Sequence, residues 1–175
     1  MSAAARPHLW GVAGVRWSAD GLAINTLRAE ELSIVFPDGE IYEAPAGHPL
    51  PLAIHLAKPP RDDPPCPFYA ALPTLKPHGG NLSNPHTPHN GARYEEVATE
   101  TMDLYTDAAS VKVAHLKNTV RLVSNLESLA AYVSVPVVRV RRTPNDCFEI
   151  DPSFMPPSLS VAAEPALHAL LGNLL

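Results

Sequence analysis

The chain has 175 residues, 46% of them hydrophobic and 18% charged, which fits one domain with a proper core and argues against disorder. Its 13 Lys and Arg against 18 Asp and Glu leave a net charge of −5. Nucleic-acid affinity is mostly basic charge meeting phosphate, so with no basic run or aromatic-interleaved basic patch, that class of partner is set aside.

Residues 1–8 lack the apolar core of a signal peptide. No stretch approaches the roughly eighteen apolar residues needed to span a bilayer, so direct membrane insertion is not expected. Cys66 and Cys147 supply neither a disulfide framework nor metal-ligand spacing, so they read as reduced bystander thiols. Asn81-Leu82-Ser83 is a glycosylation sequon without meaning unless the chain is secreted. The expected home is a cytoplasm.

Of 20 prolines, twelve fall between Pro45 and Pro88, where they forbid helices by removing amide donors and crowding the preceding turn. Before that region, Leu22 to Leu27 alternates apolar and polar residues and predicts a strand. Leu32 to Phe36 predicts another. Pro37-Asp38-Gly39 presets a tight turn, and Glu40 to Glu43 returns from it, so the whole reads as a β-hairpin. Within the proline region, Leu52 to Leu56 and Phe68 to Leu72 are two short strands. Lys76 to Ala92 is a long loop of Pro, Gly, Asn and His, of the kind that is functional or mobile.

Arg93 to Tyr105 follows as a polar, exposed strand. Val111 and Val113 then share one parity, whereas Leu116, Val120 and Leu122 share the other, which predicts a turn or bulge near Ala114 to Asn118. Val133 and Val135 change parity to Val138 and Val140 across Pro136, predicting a bulge or an edge position there. Asn145-Asp146 closes a hairpin between Val137 to Arg141 and Phe148 to Ile150. Leu167, Leu170, Leu171 and Leu174 form an apolar helical stripe after Pro165, and the chain is expected to be cut inside that helix. About nine or ten short strands with regular turns indicate an all-β sandwich. Its expected extent is residues 1–161, with residues 162–175 opening a helix that leads to an absent helical bundle.

The residues that could carry chemistry do not assemble a site. His78, His86 and His89 sit in the long loop without a nearby Cys or adjacent carboxylate, so solvated histidines are preferred over a zinc site. Glu30-Glu31, Asp62-Asp63 and Glu95-Glu96 are adjacent pairs that would point to opposite faces of a strand and could not share one site. Cys147 stands beside Asp146, whose charge would raise a thiol pKa rather than activate it. Nucleophile-elbow, phosphate-loop and zincin motifs are missing, so no enzyme activity, catalytic residue, metal or cofactor is expected. Trp10, Trp17 and Phe154-Met155-Pro156-Pro157 are apolar features that suit core packing first and a protein interface second.

Trp10-Gly11-Val12, the Leu22 to Leu27 segment and Val35-Phe36-Pro37-Asp38-Gly39-Glu40, in that order, resemble the start of the TssK (ImpJ/VasE) family. Val133-Ser134-Val135-Pro136-Val137-Val138-Arg139-Val140 is similar to the family's Ser-Leu-Pro-Ile-x-Arg-Ile strand. Phe154-Met155-Pro156-Pro157-Ser158-Leu159 is similar to its Phe-Ile-Pro-Pro-x-Leu. The resemblance covers nearly all of this chain but less than half of the family's length. It implies a structural, non-enzymatic N-terminal β-sandwich like the shoulder of siphophage receptor-binding proteins, attached to the baseplate wedge proteins TssF and TssG. It also implies a homotrimer held by a middle helical bundle, and a C-terminal head that meets the membrane-complex proteins TssL and TssM at the inner membrane. No cofactor is implied. The alternatives are a carbohydrate-binding sandwich and a metal-dependent enzyme using the histidine loop.

Overall fold

The computed structural model describes residues 9–56, 65–86, 88–102, 110–145, 147–163 and 171–172. In chain order these form β1 (Gly11–Trp17), α1 (Ala19–Ala23), β2 (Thr26–Leu27), β3 (Ala29–Val35), β4 (Ile41–Ala44), β5 (Ile54–His55) and β6 (Cys66–Pro73). They continue through β7 (Leu82–Ser83), β8 (Tyr94–Thr101), β9 (Val111–Asn118), β10 (Arg121–Ser124), β11 (Tyr132–Arg142) and β12 (Phe148–Ile150) to a 3₁₀ turn at Val161–Ala163. Two sheets, β1-β3-β4 and β10-β6-β11-β12, are joined by the short pair β2-β5 and by a third sheet, β7-β8-β9.

The first two sheets share one apolar core, which makes the fold an all-β, sandwich-like one. Leu32, Ile34 and Tyr42 contribute from one sheet, and Phe68, Leu72, Val135 and Val140 from the other. β3 buries Leu32 and Ile34 in alternation, and a register shift against β1 near its start buries Ala29 as well. β6 is the central strand: it pairs with β10 on one side and β11 on the other, and Ala70, Ala71 and Leu72 are all fully buried. The hairpin at Pro37-Asp38-Gly39 forms as expected. Gly39 adopts φ 89° and donates its N–H to Phe36 O at 2.9 Å, while Phe36 N–H reaches Glu40 O at 2.8 Å.

The parity change in β11 is a bulge, not an edge. Its register against β6 shifts between Pro136↔Tyr69 and Val138↔Phe68, so Val137 is the extra residue. Val135, Val137, Val138 and Val140 are all buried as a result.

Two expectations fail. Leu22 to Leu27 is not one strand: Ser18 caps α1 by accepting from Gly21 N–H at 3.2 Å, and the chain leaves that turn through Asn25 at φ 56°. Only Thr26 and Leu27 are extended. The polar–apolar alternation there comes from a single helical turn followed by an αL residue. The turn or bulge predicted near Ala114 to Asn118 does not interrupt β9 either: β9 pairs with β8 in unbroken register from Val111 to Asn118, and the break falls just after it, at Thr119 and Val120. Parity arguments require one buried face, and this stretch has none, since Val111, Val113 and Leu116 are all exposed.

The loop from Lys76 to Ala92 contains β7, which pairs parallel with the first two residues of β8. The helical stripe falls outside the described residues except at Leu171, which is helical and exposed.

Candidate interaction surface

β8 and β9 form a ribbon of eight facing pairs, about 27 Å long, that no layer of the described residues covers. One face carries Val97, Thr99, Thr101, Val111, Val113 and His115, and the other Glu96, Ala98, Glu100, Lys112, Ala114 and Leu116, because facing residues of an antiparallel pair share a side. From Val97 to Thr101 and from Val111 to Leu116 every residue is exposed. A two-stranded ribbon is marginal by itself in water, so its direction must be set at its root.

The root is a buried polar network between the hairpin turn of β3-β4 and the inner ends of β8 and β9. Arg93, 2% exposed, donates to Asp38 Oδ2 at 2.8 Å, Glu40 Oε2 at 3.1 Å, Pro73 O at 2.9 Å and the Tyr94 hydroxyl at 3.2 Å. Burial works against its charge, but the Glu40 carboxylate, the Tyr94 hydroxyl and Asp38 together hold the guanidinium pKa above its ordinary value. Tyr94 in turn donates to Glu40 Oε2 at 3.1 Å. Asn118, also 2% exposed, donates its side-chain amide to Glu40 Oε1 at 3.2 Å. Glu40 thus collects three donors from both strands of the ribbon.

A second tie runs through His48. Asn118 N–H donates to His48 Nδ1 at 3.0 Å, which requires that nitrogen to be unprotonated, and the imidazole stacks on Tyr42 with centroids 5.3 Å apart. Burial lowers the His48 pKa and the Lys117 charge lowers it further, with Glu40 and Glu43 opposing. Lys117 Nζ donates to Gly47 O at 2.6 Å beside it. Burial also pushes the Tyr42 phenol well up, and its hydroxyl donates to Pro49 O. Pro-Asp-Gly followed by Glu marked the turn in the sequence; that Glu40 would hold an arm more than fifty residues away was not legible there.

The residues singled out earlier are scattered. His78, His86 and His89 are exposed, and no group of three metal-ligating side chains converges among the described residues. His89 N–H donates to Ser83 Oγ at 3.0 Å, and its ring lies against Gly80. Glu95 and Glu96 do point to opposite faces of β8, with Glu95 opposite Lys117 and Glu96 opposite Leu116. Glu30 and Glu31, however, both reach one cation: Arg16 Nε lies 3.1 Å from Glu30 and its Nη2 2.8 Å from Glu31. A register shift between Arg16↔Glu31 and Trp17↔Ala29 leaves Glu30 unpaired, and this suspends the alternation that would have separated them. Asp62-Asp63 and Asp146 lie outside the described residues.

Cys66 is half-buried with its Sγ 3.2 Å from Asn125 Oδ1, and burial raises its thiol pKa; Cys147 is exposed. Trp10 and Trp17 pack against the core rather than forming an exposed platform. Phe154 lies under the Arg139 guanidinium at 5.3 Å. Arg139 also donates to Asp151 Oδ2 at 2.7 Å, and Ser153, then Arg139, hold that carboxyl below its usual range.

The arrangement is that of a sandwich with an exposed ribbon, and the chain has relatives among known proteins. TssK1 of Pseudomonas aeruginosa, a type VI secretion baseplate component, is 28% identical over 171 residues, covering 95% of this chain and 37% of the relative. A cryo-electron microscopy structure of a type VI TssK–TssF–TssG baseplate subcomplex contains a chain matching with a TM-score of 0.85 at 29% identity, over 95% of this chain and 55% of that one. A structure of the type VI baseplate complex matches with a TM-score of 0.84 at 28% identity, over 95% and 53%. The chain therefore spans between about a third and somewhat over half the length of these relatives. The family described as bacterial type VI secretion, EvfL, ImpJ, VasE matches residues 1–175, end to end, and it is to this family that the chain belongs.

Proposed function

We propose that this chain is a structural adaptor domain of a type VI secretion baseplate, the part of a TssK-like protein that attaches to the wedge proteins TssF and TssG. The observation that carries this is the TM-score of 0.85, at 29% identity, with a chain in a TssK–TssF–TssG subcomplex. No helix among the described residues is long and apolar enough to cross a membrane. On this reading the domain docks from the cytoplasmic side and does not itself insert.

In the longer family members, the segments beyond the matched span would hold a homotrimer and reach the membrane-complex proteins TssL and TssM. The domain would thereby help to link baseplate and membrane complex. Its sandwich would be the counterpart of the siphophage shoulder. The carbohydrate-binding alternative draws no support, because a sugar platform needs an exposed aromatic face and both tryptophans pack on the core. Co-purification with TssF and TssG of the same organism tests the reading. Retention of the chain by the pair is expected; a chain that washes off both proteins, while the pair itself stays assembled, overturns it.

A further inference from the structure

The β8-β9 ribbon has two free edges of opposite sign. β8 carries Glu95, Glu96 and Glu100 and no cation, while β9 carries Lys112 and Lys117 with His115 and no carboxylate. The backbone directions can be read from the root. Tyr94 turns its N–H away from β9, to Asn81 O at 2.8 Å, and Asn118 turns its N–H away from β8, to His48 Nδ1 at 3.0 Å. Tyr94 and Asn118 face each other, so theirs is a non-hydrogen-bonded pair. Every second pair outward repeats it: Glu96/Leu116, Ala98/Ala114 and Glu100/Lys112 all aim their backbone donors and acceptors away from the ribbon.

Among the described residues, β9 is the terminal strand of its sheet, and β7 covers β8 only at Tyr94 and Glu95. Each edge is thus open over the same six or so residues. We propose that the free edge of β9 pairs antiparallel with the free edge of β8 from a second copy of this chain.

The chain's own ribbon shows that these two strands fit. In the same register, Glu100 of one copy falls beside Lys112 of the other, and Ala98 meets Ala114 without steric demand. Pairing β8 on β8 would instead set Glu96 of one copy beside Glu100 of the other, and pairing β9 on β9 would set Lys112 against Leu116 and gain no ion pair. Lys117 is already engaged with Gly47 O, so Lys112 is the cation that decides. The added strands also extend the apolar stripe of Val97, Val111 and Val113 across four strands, past the three at which a sheet with an apolar face becomes stable. Because the joint is head to tail, each added copy leaves one β8 and one β9 edge free, and assembly ends only when a ring closes.

The joint stands apart from the wedge attachment proposed above, and it is read on the chain alone. Sedimentation velocity at low salt, from micromolar to millimolar concentration, is expected to show a mass that grows with concentration and falls back when salt is added. Ala114→Pro removes an outward N–H without touching a hydrogen bond inside the ribbon, so it should return the chain to a monomer with unchanged circular dichroism. Lys112→Glu and Glu100→Lys should each weaken association at least tenfold. Their equimolar mixture should associate again, because every joint between unlike copies then sets opposite charges together. A wild-type chain that stays at 18.8 kDa up to millimolar concentration overturns the proposal. So does an association that Ala114→Pro leaves unmoved, or a mixture of the two charge variants that stays monomeric.

Discussion

The carbonyl oxygen of Pro157 lies 2.5 Å from the position a Cβ would take on Gly11, and Gly11 itself adopts φ 139°. The segment after Phe154 is thereby zipped onto β1. Val12 N–H donates to Pro157 O at 2.7 Å, and Leu159 N–H donates to Val12 O at 2.8 Å. Trp-Gly-Val near the start of the chain and Phe-Met-Pro-Pro-Ser-Leu near its end are thus two halves of one contact.

Gly11→Ala should therefore destabilise the domain by about 2 kcal/mol or more, since it combines a glycine-only conformation with a backbone clash. Gly14 lies three residues along the same strand with nothing within 4 Å of its would-be Cβ and serves as the control. Urea unfolding of both variants checks this; Gly11→Ala as mild as Gly14→Ala would show that the two segments separate without cost.

Arg93→Met should cost about 2–3 kcal/mol. Breaking a buried ion pair costs roughly 3–5 kcal/mol, and partial exposure of the Asp38 and Glu40 side chains, 34% and 29%, screens part of that. Arg93→Lys should recover little, because one ammonium cannot serve Pro73 O, both carboxylates and the Tyr94 hydroxyl as the guanidinium fork does. Denaturant midpoints of the two variants decide it. A lysine variant equal to wild type would mean that charge alone, not fork geometry, holds the root.

The sandwich was legible wherever one face of a strand is buried. β3 and the Val137 bulge leave a parity signature in the sequence, because burial couples side-chain character to the period of two, and the Pro-Asp-Gly turn is marked by its own residues. The same logic misread β9, where no face is buried and the parity of Val111 and Leu116 carries no information. Leu22 to Leu27 failed for a different reason: one helical turn and one αL asparagine imitate alternation over six residues. The Arg93–Glu40–Asn118 root was invisible because it joins side chains more than fifty positions apart, each unremarkable in its own neighbourhood.

Acidification should loosen the root through His48. Its folded pKa lies below the ordinary 6.5, so between the two values the unfolded chain binds more protons than the folded one. The stabilising contribution is complete above 6.5 and is lost as pH falls from there through the folded value. His48→Gln should flatten that part of the stability profile. Unfolding free energies of the two proteins across the window test this, and parallel curves would mean that the Asn118 N–H does not depend on a neutral imidazole.

Deletion of Val137 should leave the register of β11 intact. Val135, Pro136, Val138 and Val140 face Ala70, Tyr69, Phe68 and Cys66, so Val137 is the one residue in excess. Without it Val135, Val138 and Val140 stand two apart, and a regular ladder keeps all three on the buried face with the same partners. The loss is the buried Val137 side chain, about 1.5–3 kcal/mol before counting the void it leaves, together with the local twist of the bulge. Val137→Ala keeps the bulge and should lose only the buried methyls, roughly 1–2 kcal/mol. The pair separates the bulge itself from side-chain volume. Circular dichroism and thermal unfolding should find both variants folded, with the deletion the less stable; a deletion that leaves the chain unfolded would show that the sandwich needs the bulge and not only the register it preserves.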